Sequence, residues 1–224
     1  MIKGKIAEVF DSIQGEGLYL GEKQIFVRFF GCNLKCSFCD TKMDSFLEYG
    51  PEELFNELKM YCGNYHSVSF TGGEPLLQKD FLKEILKLTY KDKLKNYLET
   101  NGTLPEALKD IIEYVHIVAM DFKLPSSTGL NNFWDEHRLF LEIASKKEVF
   151  IKMVIGESTD EEDLIDGLRL INKVAKYSVL ILQPDSGTSN AALNEKLESF
   201  KEICRKESIV TCVIPQVHKI AGVK

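Results

Sequence analysis

Cys32, Cys36 and Cys39 crowd into the run Gly31-Cys32-Asn33-Leu34-Lys35-Cys36-Ser37-Phe38-Cys39-Asp40. Three thiolates on one C-x3-C-x2-C loop can ligate three metal corners. A structural zinc normally takes four protein ligands in two pairs, and no second C-x2-C or H-x3-H run lies nearby. A 4Fe-4S cube is usually held by four thiolates, so this loop would leave one iron open to an outside ligand. A zinc loop, or three core cysteines close by coincidence, is the plainer alternative. A disulfide framework fits poorly, because only three of the six cysteines cluster. Cys62, Cys204 and Cys212 are scattered and read as small buried hydrophobes.

Other polar groups follow apolar runs abruptly. Thr71-Gly72-Gly73-Glu74-Pro75 follows Ser67–Phe70, and its glycines let backbone approach a ligand closely. Glu99-Thr100-Asn101, Asp121-Phe122-Lys123 and Gln183-Pro184-Asp185-Ser186 stand in the same position after later runs. Each is either a ligand-facing strand end or an ordinary solvated turn. Arg28 interrupts the apolar run Gln24–Phe30 and needs an internal acid or an anionic ligand. Ser12-Ile13-Gln14-Gly15-Glu16-Gly17 is a glycine turn or a binding segment. Thr41 is a ligand hydroxyl or a helix cap, and Pro215-Gln216-Val217-His218-Lys219 is a site segment or a surface tail.

The elements that would position these groups alternate strictly. Gln24–Phe30, Ser67–Phe70, Tyr97–Glu99, His116–Met120, Val149–Ile155 and Val179–Leu182 read as buried strands. Pro51–Tyr61, Lys79–Leu88, Pro105–Ile112, Asn132–Ala144, Asp160–Ala175 and Leu193–Lys206 read as helices. Thr159 and Glu162 would form a capping box before the fifth of these. Six strand–helix units imply an α/β fold, a partial (β/α)6 TIM-type barrel of parallel strands with catalytic groups at the strand C-termini. Residues 1–224 would form one domain, with a hairpin extension over 1–23 and a short tail over 213–224. Hydrophobic residues make up 44% and charged ones 28%, enough for a real core. The net charge of -6 argues against nucleic acid as a partner. No apolar run is long enough for a secretion signal or a membrane span, so a cytoplasmic protein without a membrane partner is expected.

The cysteine loop, with an aromatic residue before its last Cys, resembles the signature of the radical S-adenosylmethionine (SAM) superfamily. The resemblance implies a radical SAM core with a 4Fe-4S cluster on Cys32, Cys36 and Cys39. The open iron would be chelated by the methionyl amino and carboxylate groups, and one electron would cleave SAM to an adenosyl radical. It implies that Phe38, Gly73, Glu74, Asp121, Phe122, Lys123, Gln183, Pro184, Asp185 and Ser186 surround that cofactor. Ser12–Gly17, Cys39-Asp40-Thr41 and Pro215–Lys219 narrow the resemblance to the 7-carboxy-7-deazaguanine synthase family, from about Ile6 to Lys219. That family would convert 6-carboxy-5,6,7,8-tetrahydropterin to 7-carboxy-7-deazaguanine with loss of ammonia, in queuosine and deazapurine biosynthesis. Ile13, Gln14, Gly15 and Thr71 would then bind the substrate. Arg28 would clamp its carboxylate, and Thr41 would ligate Mg²⁺. A flavodoxin or ferredoxin donor and a homodimer are implied as well. A glycyl-radical-enzyme activating enzyme shares the loop, but Ser12–Gly17 and Arg28 favour a small anionic substrate. A zinc-binding module without catalysis is the third reading.

Overall fold

A computed structural model gives the fold of residues 2–39, 43–187 and 190–222, without the side chains of Ile220 and Ala221. Strand β1 (Gly4–Ile13) turns back antiparallel onto β2 (Lys23–Phe29), with Val9 opposite Val27. The short strand β3 (Leu47–Tyr49) adds to the outer side of β1. The chain then runs through α1 (Pro51–Leu58), β4 (Ser67–Gly72), α2 (Lys79–Lys91), β5 (Asn96–Thr100) and α3 (Pro105–Ile111). Next come β6 (Ile117–Phe122), the single turn α4 (Pro125–Thr128), α5 (Trp134–Ala144) and β7 (Glu148–Ile155). It ends with α6 (Glu161–Val174), β8 (Leu180–Pro184), α7 (Ala191–Lys206), β9 (Thr211–Val213) and α8 (Val217–Ala221). All strands share one sheet in the order β3-β1-β2-β4-β5-β6-β7-β8-β9. From β2 onward every pairing is parallel, the arrangement of a partial barrel.

Side-chain alternation along the parallel strands divides the sheet into two faces. Phe29, Phe70, Leu98, Met120, Ile151 and Leu182 point outward into the main core, where Leu54, Phe81, Leu82, Ile85, Phe140 and Leu168 meet them. The concave face carries a second, smaller core of Tyr97, Ile117, Phe150 and Ile181, packed by Tyr19 and Ile214. Two residues further along β5, β7 and β8, and four along β6, lie Glu99, Lys152, Gln183 and Asp121, which line a cavity. The interior is thus layered: apolar side chains form its floor, and charged or amide side chains form a belt above it.

The six expected parallel strands are all present. The three-residue strands β3 and β9 were not anticipated, being too short to show a period. The capping box is a correction. Asp160, not Thr159, precedes α6, and the Thr159 hydroxyl accepts from Gly156 N (2.8 Å) and meets Ser127 Oγ (2.8 Å). Of the scattered cysteines only Cys204 is buried, while Cys62 and Cys212 are exposed, so their reading as core residues is corrected too. Among the described residues no helix is long and apolar enough to cross a membrane.

Candidate active site

A cavity of about 220 Å³ opens at the C-terminal ends of the parallel strands. The cysteine loop leaves β2 through Gly31, whose φ of 94° only glycine adopts readily. At Asn33 and Ser37 this loop is tied to the segments that follow β5 and β6. Asn33 Nδ2 donates to Thr103 Oγ1 (2.9 Å), and Asn101 Nδ2 donates to Asn33 Oδ1 (2.9 Å). Ser37 donates through its N–H to Thr128 O (3.0 Å) and through its hydroxyl to Ser127 O (2.8 Å). Cys32, Cys36 and Cys39 consequently all line the cavity.

The glycine turn after β4 packs directly under this loop. Gly73 N donates to Phe29 O (3.0 Å) and Glu74 N to Gly31 O (2.9 Å). A Cβ on Gly73 would lie 2.0 Å from Gly31 O, so only glycine permits the approach. Glu74 turns away from the cavity into full burial. Its carboxylate accepts from Leu76 N (3.1 Å), Asn101 N (2.8 Å) and the Thr100 hydroxyl (3.0 Å). Burial outweighs these donors and Lys123, and pushes the Glu74 carboxyl up to about 7. A raised carboxyl pKa favours the fold while the group is neutral. That stabilisation is complete below the unfolded value of 4.5 and lost as pH rises to about 7, a difference of about 3 kcal/mol. In urea unfolding of cluster-free protein, the stability of wild type relative to Glu74→Gln should therefore fall between pH 4.5 and 7 and level off above.

The belt above the floor is a continuous polar network. Glu99 Oε1 accepts from Gln14 Nε2 (2.8 Å) and Ser69 Oγ (3.2 Å), and Oε2 accepts from Thr71 Oγ1 (2.8 Å). Gln14 also donates to Gln24 Oε1 (3.1 Å) and accepts from Glu16 N (3.1 Å). Lys152 Nζ sits 2.6 Å from Glu16 Oε2 and 3.6 Å from Asp121 Oδ2, and Lys123 Nζ lies 2.8 Å from Asp121. The Lys123 ammonium also stands over the Phe38 ring, 5.3 Å from its centroid. Burial alone would raise the Glu16 carboxyl, but Lys152 and the Gln216 amide hold it down at about 2. Burial likewise opposes the charge on Lys152, yet Glu16 and Asp121 keep its ammonium well above its ordinary value. On the floor, burial and then the Glu99 charge push the Tyr97 phenol well up, so it stays a neutral hydroxyl.

Most of the residues singled out from the sequence meet here. Cys32, Cys36, Phe38, Cys39, Thr71 and Gly73 line the cavity from one side, and Asp121, Lys123, Gln183 and Asp185 from the other strand ends. Pro184 and Ser186 flank this wall without lining it, and the Ser186 hydroxyl accepts from Lys219 Nζ (2.6 Å). Phe122 faces the outer core, stacked on His137 at 4.7 Å and 7°. Ile13 is half exposed, and His218 covers Gly15 so closely that a Cβ there would lie 2.5 Å from it. Arg28 shares the concave face with its register partner Thr71, but its guanidinium pairs with Glu8 Oε1 at 2.6 Å, outside the cavity lining. Thr41 lies outside the described residues. Lys152 and Tyr97 went unnoticed in the sequence. Lys152 was detectable by the argument applied to Arg28, a lone cation within an apolar strand.

The donor set fits an iron–sulfur cube and an organic cofactor. Among the described residues no three His, Cys, Asp or Glu side chains converge on the position of a single ion. A structural zinc needs such convergence at about 2.3 Å per thiolate, whereas a cube spreads its ligands over separate irons. Burial pushes the Cys32 and Cys36 thiols up, a direction that metal ligation reverses by deprotonating them. Asp121 Oδ1 and Gln183 Oε1 are buried acceptors with no protein donor among the described residues, as a donor-rich ligand would require.

Comparison with known proteins agrees with this geometry. The model of the radical SAM superfamily matches residues 26–182. A 7-carboxy-7-deazaguanine synthase of Geobacter sulfurreducens is 35% identical, with 97% of each chain covered. One of Archaeoglobus fulgidus is 32% identical over the full length of both. The crystal structure of QueE from Escherichia coli superposes with a TM-score of 0.69 over 95% of this chain and 94% of that one, at 23% identity, a likeness of fold.

Proposed function

We infer what this chain does from one premise: it belongs to the radical SAM superfamily and, within it, to the family of the 7-carboxy-7-deazaguanine synthases. It is a radical SAM lyase of the carbon–nitrogen class. It contracts 6-carboxy-5,6,7,8-tetrahydropterin to 7-carboxy-7-deazaguanine and releases ammonia. Cys32, Cys36 and Cys39 hold the 4Fe-4S cluster, which with SAM supplies the radical chemistry when bound. The observation that carries this reading is a loop of three thiols braced at four points against the segments after β5 and β6, facing a cavity with two buried acceptors that have no partner among the described residues.

The chain's own residues then have distinct tasks. The Gly72-Gly73 backbone and the Asp121 and Gln183 oxygens bind the cofactor's amino and hydroxyl groups. Phe38, Phe122, Lys123, Pro184, Asp185 and Ser186 complete or back that wall, and Glu74 acts from behind it by fixing Asn101. Thr71, Gln14 and the Ile13-Gly15 backbone face the pterin side. Arg28 takes the substrate carboxylate by exchanging its present partner Glu8. Thr41 ligates Mg²⁺, whose oxygen-rich coordination suits a hydroxyl. The apolar floor excludes water beneath the reacting ring. A homodimer, a flavodoxin or ferredoxin donor and a cytoplasmic setting belong to the same proposal.

Anaerobically reconstituted protein given SAM, Mg²⁺, reductant and carboxytetrahydropterin should release carboxydeazaguanine and ammonia in equal amounts. Intact pterin in the presence of a full cluster and cleavable SAM would overturn the substrate assignment while leaving the superfamily untouched.

A further inference from the structure

Lys152 is a largely enclosed cation, 18% exposed, without an obvious reason in the chemistry above. Removing an ammonium from water is costly unless it is paired, and its surroundings repay that cost unevenly. Asp121 is 3.6 Å away and already has Lys123 at 2.8 Å. Glu16 is 2.6 Å away, and its next basic neighbour is the His218 ring at 4.0 Å. Lys152 therefore matters chiefly to Glu16.

Glu16 in turn joins the two ends of the chain. Its second oxygen accepts from Gln216 Nε2 at 2.7 Å. Beside it, Val217 N donates to Gly15 O at 2.9 Å. Lys219 reaches the loop after β8 through Ser186 at 2.6 Å. Both Glu16 and Gln216 line the cavity, so this junction is part of its wall and not a remote contact. On the other side, Glu16 N–H holds the Gln14 amide oxygen at 3.1 Å, and Gln14 holds Glu99. The Glu16 carboxylate thus ties down the C-terminal segment, while the backbone N–H of the same residue holds the Gln14–Glu99 pair.

We infer that Lys152 is a positioning residue for the pterin: by pinning the Glu16 carboxylate, it holds Gln216, and with it the C-terminal segment, in the cavity wall. This rests on the reading that the cavity takes the small substrate beside SAM. The inference separates the two ligands. Loss of Lys152 leaves Asp121 paired with Lys123 on the cofactor side and leaves Glu16 uncompensated on the substrate side.

The test is a double-mutant cycle on reconstituted holoenzyme. Lys152→Met should raise KM for the pterin by about tenfold or more while SAM affinity changes less than about threefold. In a Glu16→Gln background there is no carboxylate to pin, so the same Lys152→Met change should move KM less than about threefold. Equal losses in both backgrounds would mean that Lys152 meets substrate directly, and the pin would be overturned. A second readout needs no turnover. In substrate-free holoprotein, amide exchange at Val217 should speed up about tenfold in Lys152→Met and return in Lys152→Met/Glu16→Gln towards the rate of Glu16→Gln alone. Unchanged Val217 protection in Lys152→Met sinks the inference. Faster exchange in a chain whose wild type leaves the pterin untouched sinks the substrate assignment instead.

Discussion

Replacing any one of Cys32, Cys36 and Cys39 with Ala should abolish carboxydeazaguanine formation and SAM cleavage together, because the cofactor carries the chemistry. Among the described residues no further cysteine is placed to replace a cluster ligand. Of the other three cysteines, Cys204 is sealed in the core, and neither Cys62 nor Cys212 lines the cavity. The loop is also too firmly braced by Asn33, Asn101 and Ser37 to swing a substitute into place. Iron and sulfide per chain should fall, while circular dichroism stays close to wild type because none of the described loop residues belongs to the main core. Cys62→Ala and Cys212→Ala provide the contrast and should retain both iron and activity. A single cysteine variant that keeps a stoichiometric cube and cleaves SAM would mean that ligation was assigned to the wrong residues.

How much of this was legible beforehand depends on how far each cause acts along the chain. A parallel strand covered on both sides writes its burial into consecutive apolar residues, so the six longer strands of the parallel series could be found. Strand alternation was equally available and was underused. It separates Asp121 and Lys123 from Phe122, which must face the opposite side and does, against His137. Arg28 and Lys152 pose the same local puzzle, a cation amid apolar neighbours, but its answers are non-local. Glu8 lies across a hairpin, and Glu16 lies 136 residues away. No periodicity encodes that second pairing; it exists only once β7 and the turn after β1 share the barrel interior. Glu74 shows the same limit. As part of a glycine motif it invited a cofactor role, whereas the fold turns it inward to hold the backbone of Asn101.

Gly73→Ala should cost about 100-fold in activity, the expected penalty for moving catalytic parts by about 1 Å. Gly73 does not have a positive φ, so an added methyl incurs no backbone penalty of its own and the effect is purely steric. The new Cβ would meet Gly31 O at 2.0 Å and Cys32 N at 3.0 Å, both backbone atoms that cannot rotate aside. Real contacts of this kind essentially never fall below 3.0 Å, so the turn and the cysteine loop must part by about 1 Å. That separation stretches the hydrogen bond from Glu74 N to Gly31 O and displaces the first cluster ligand relative to the SAM wall. Gly21→Ala is the control for conformation alone: φ is 90° there, with open space around the missing Cβ. It should lower stability by about 1 kcal/mol and leave turnover intact. The two variants thus dissociate strain from clash. Gly73→Ala should lose SAM cleavage and bind iron less firmly at nearly unchanged melting temperature, and an alanine at Gly73 that turned over normally would show that the glycine turn does not set the spacing between cluster and cofactor.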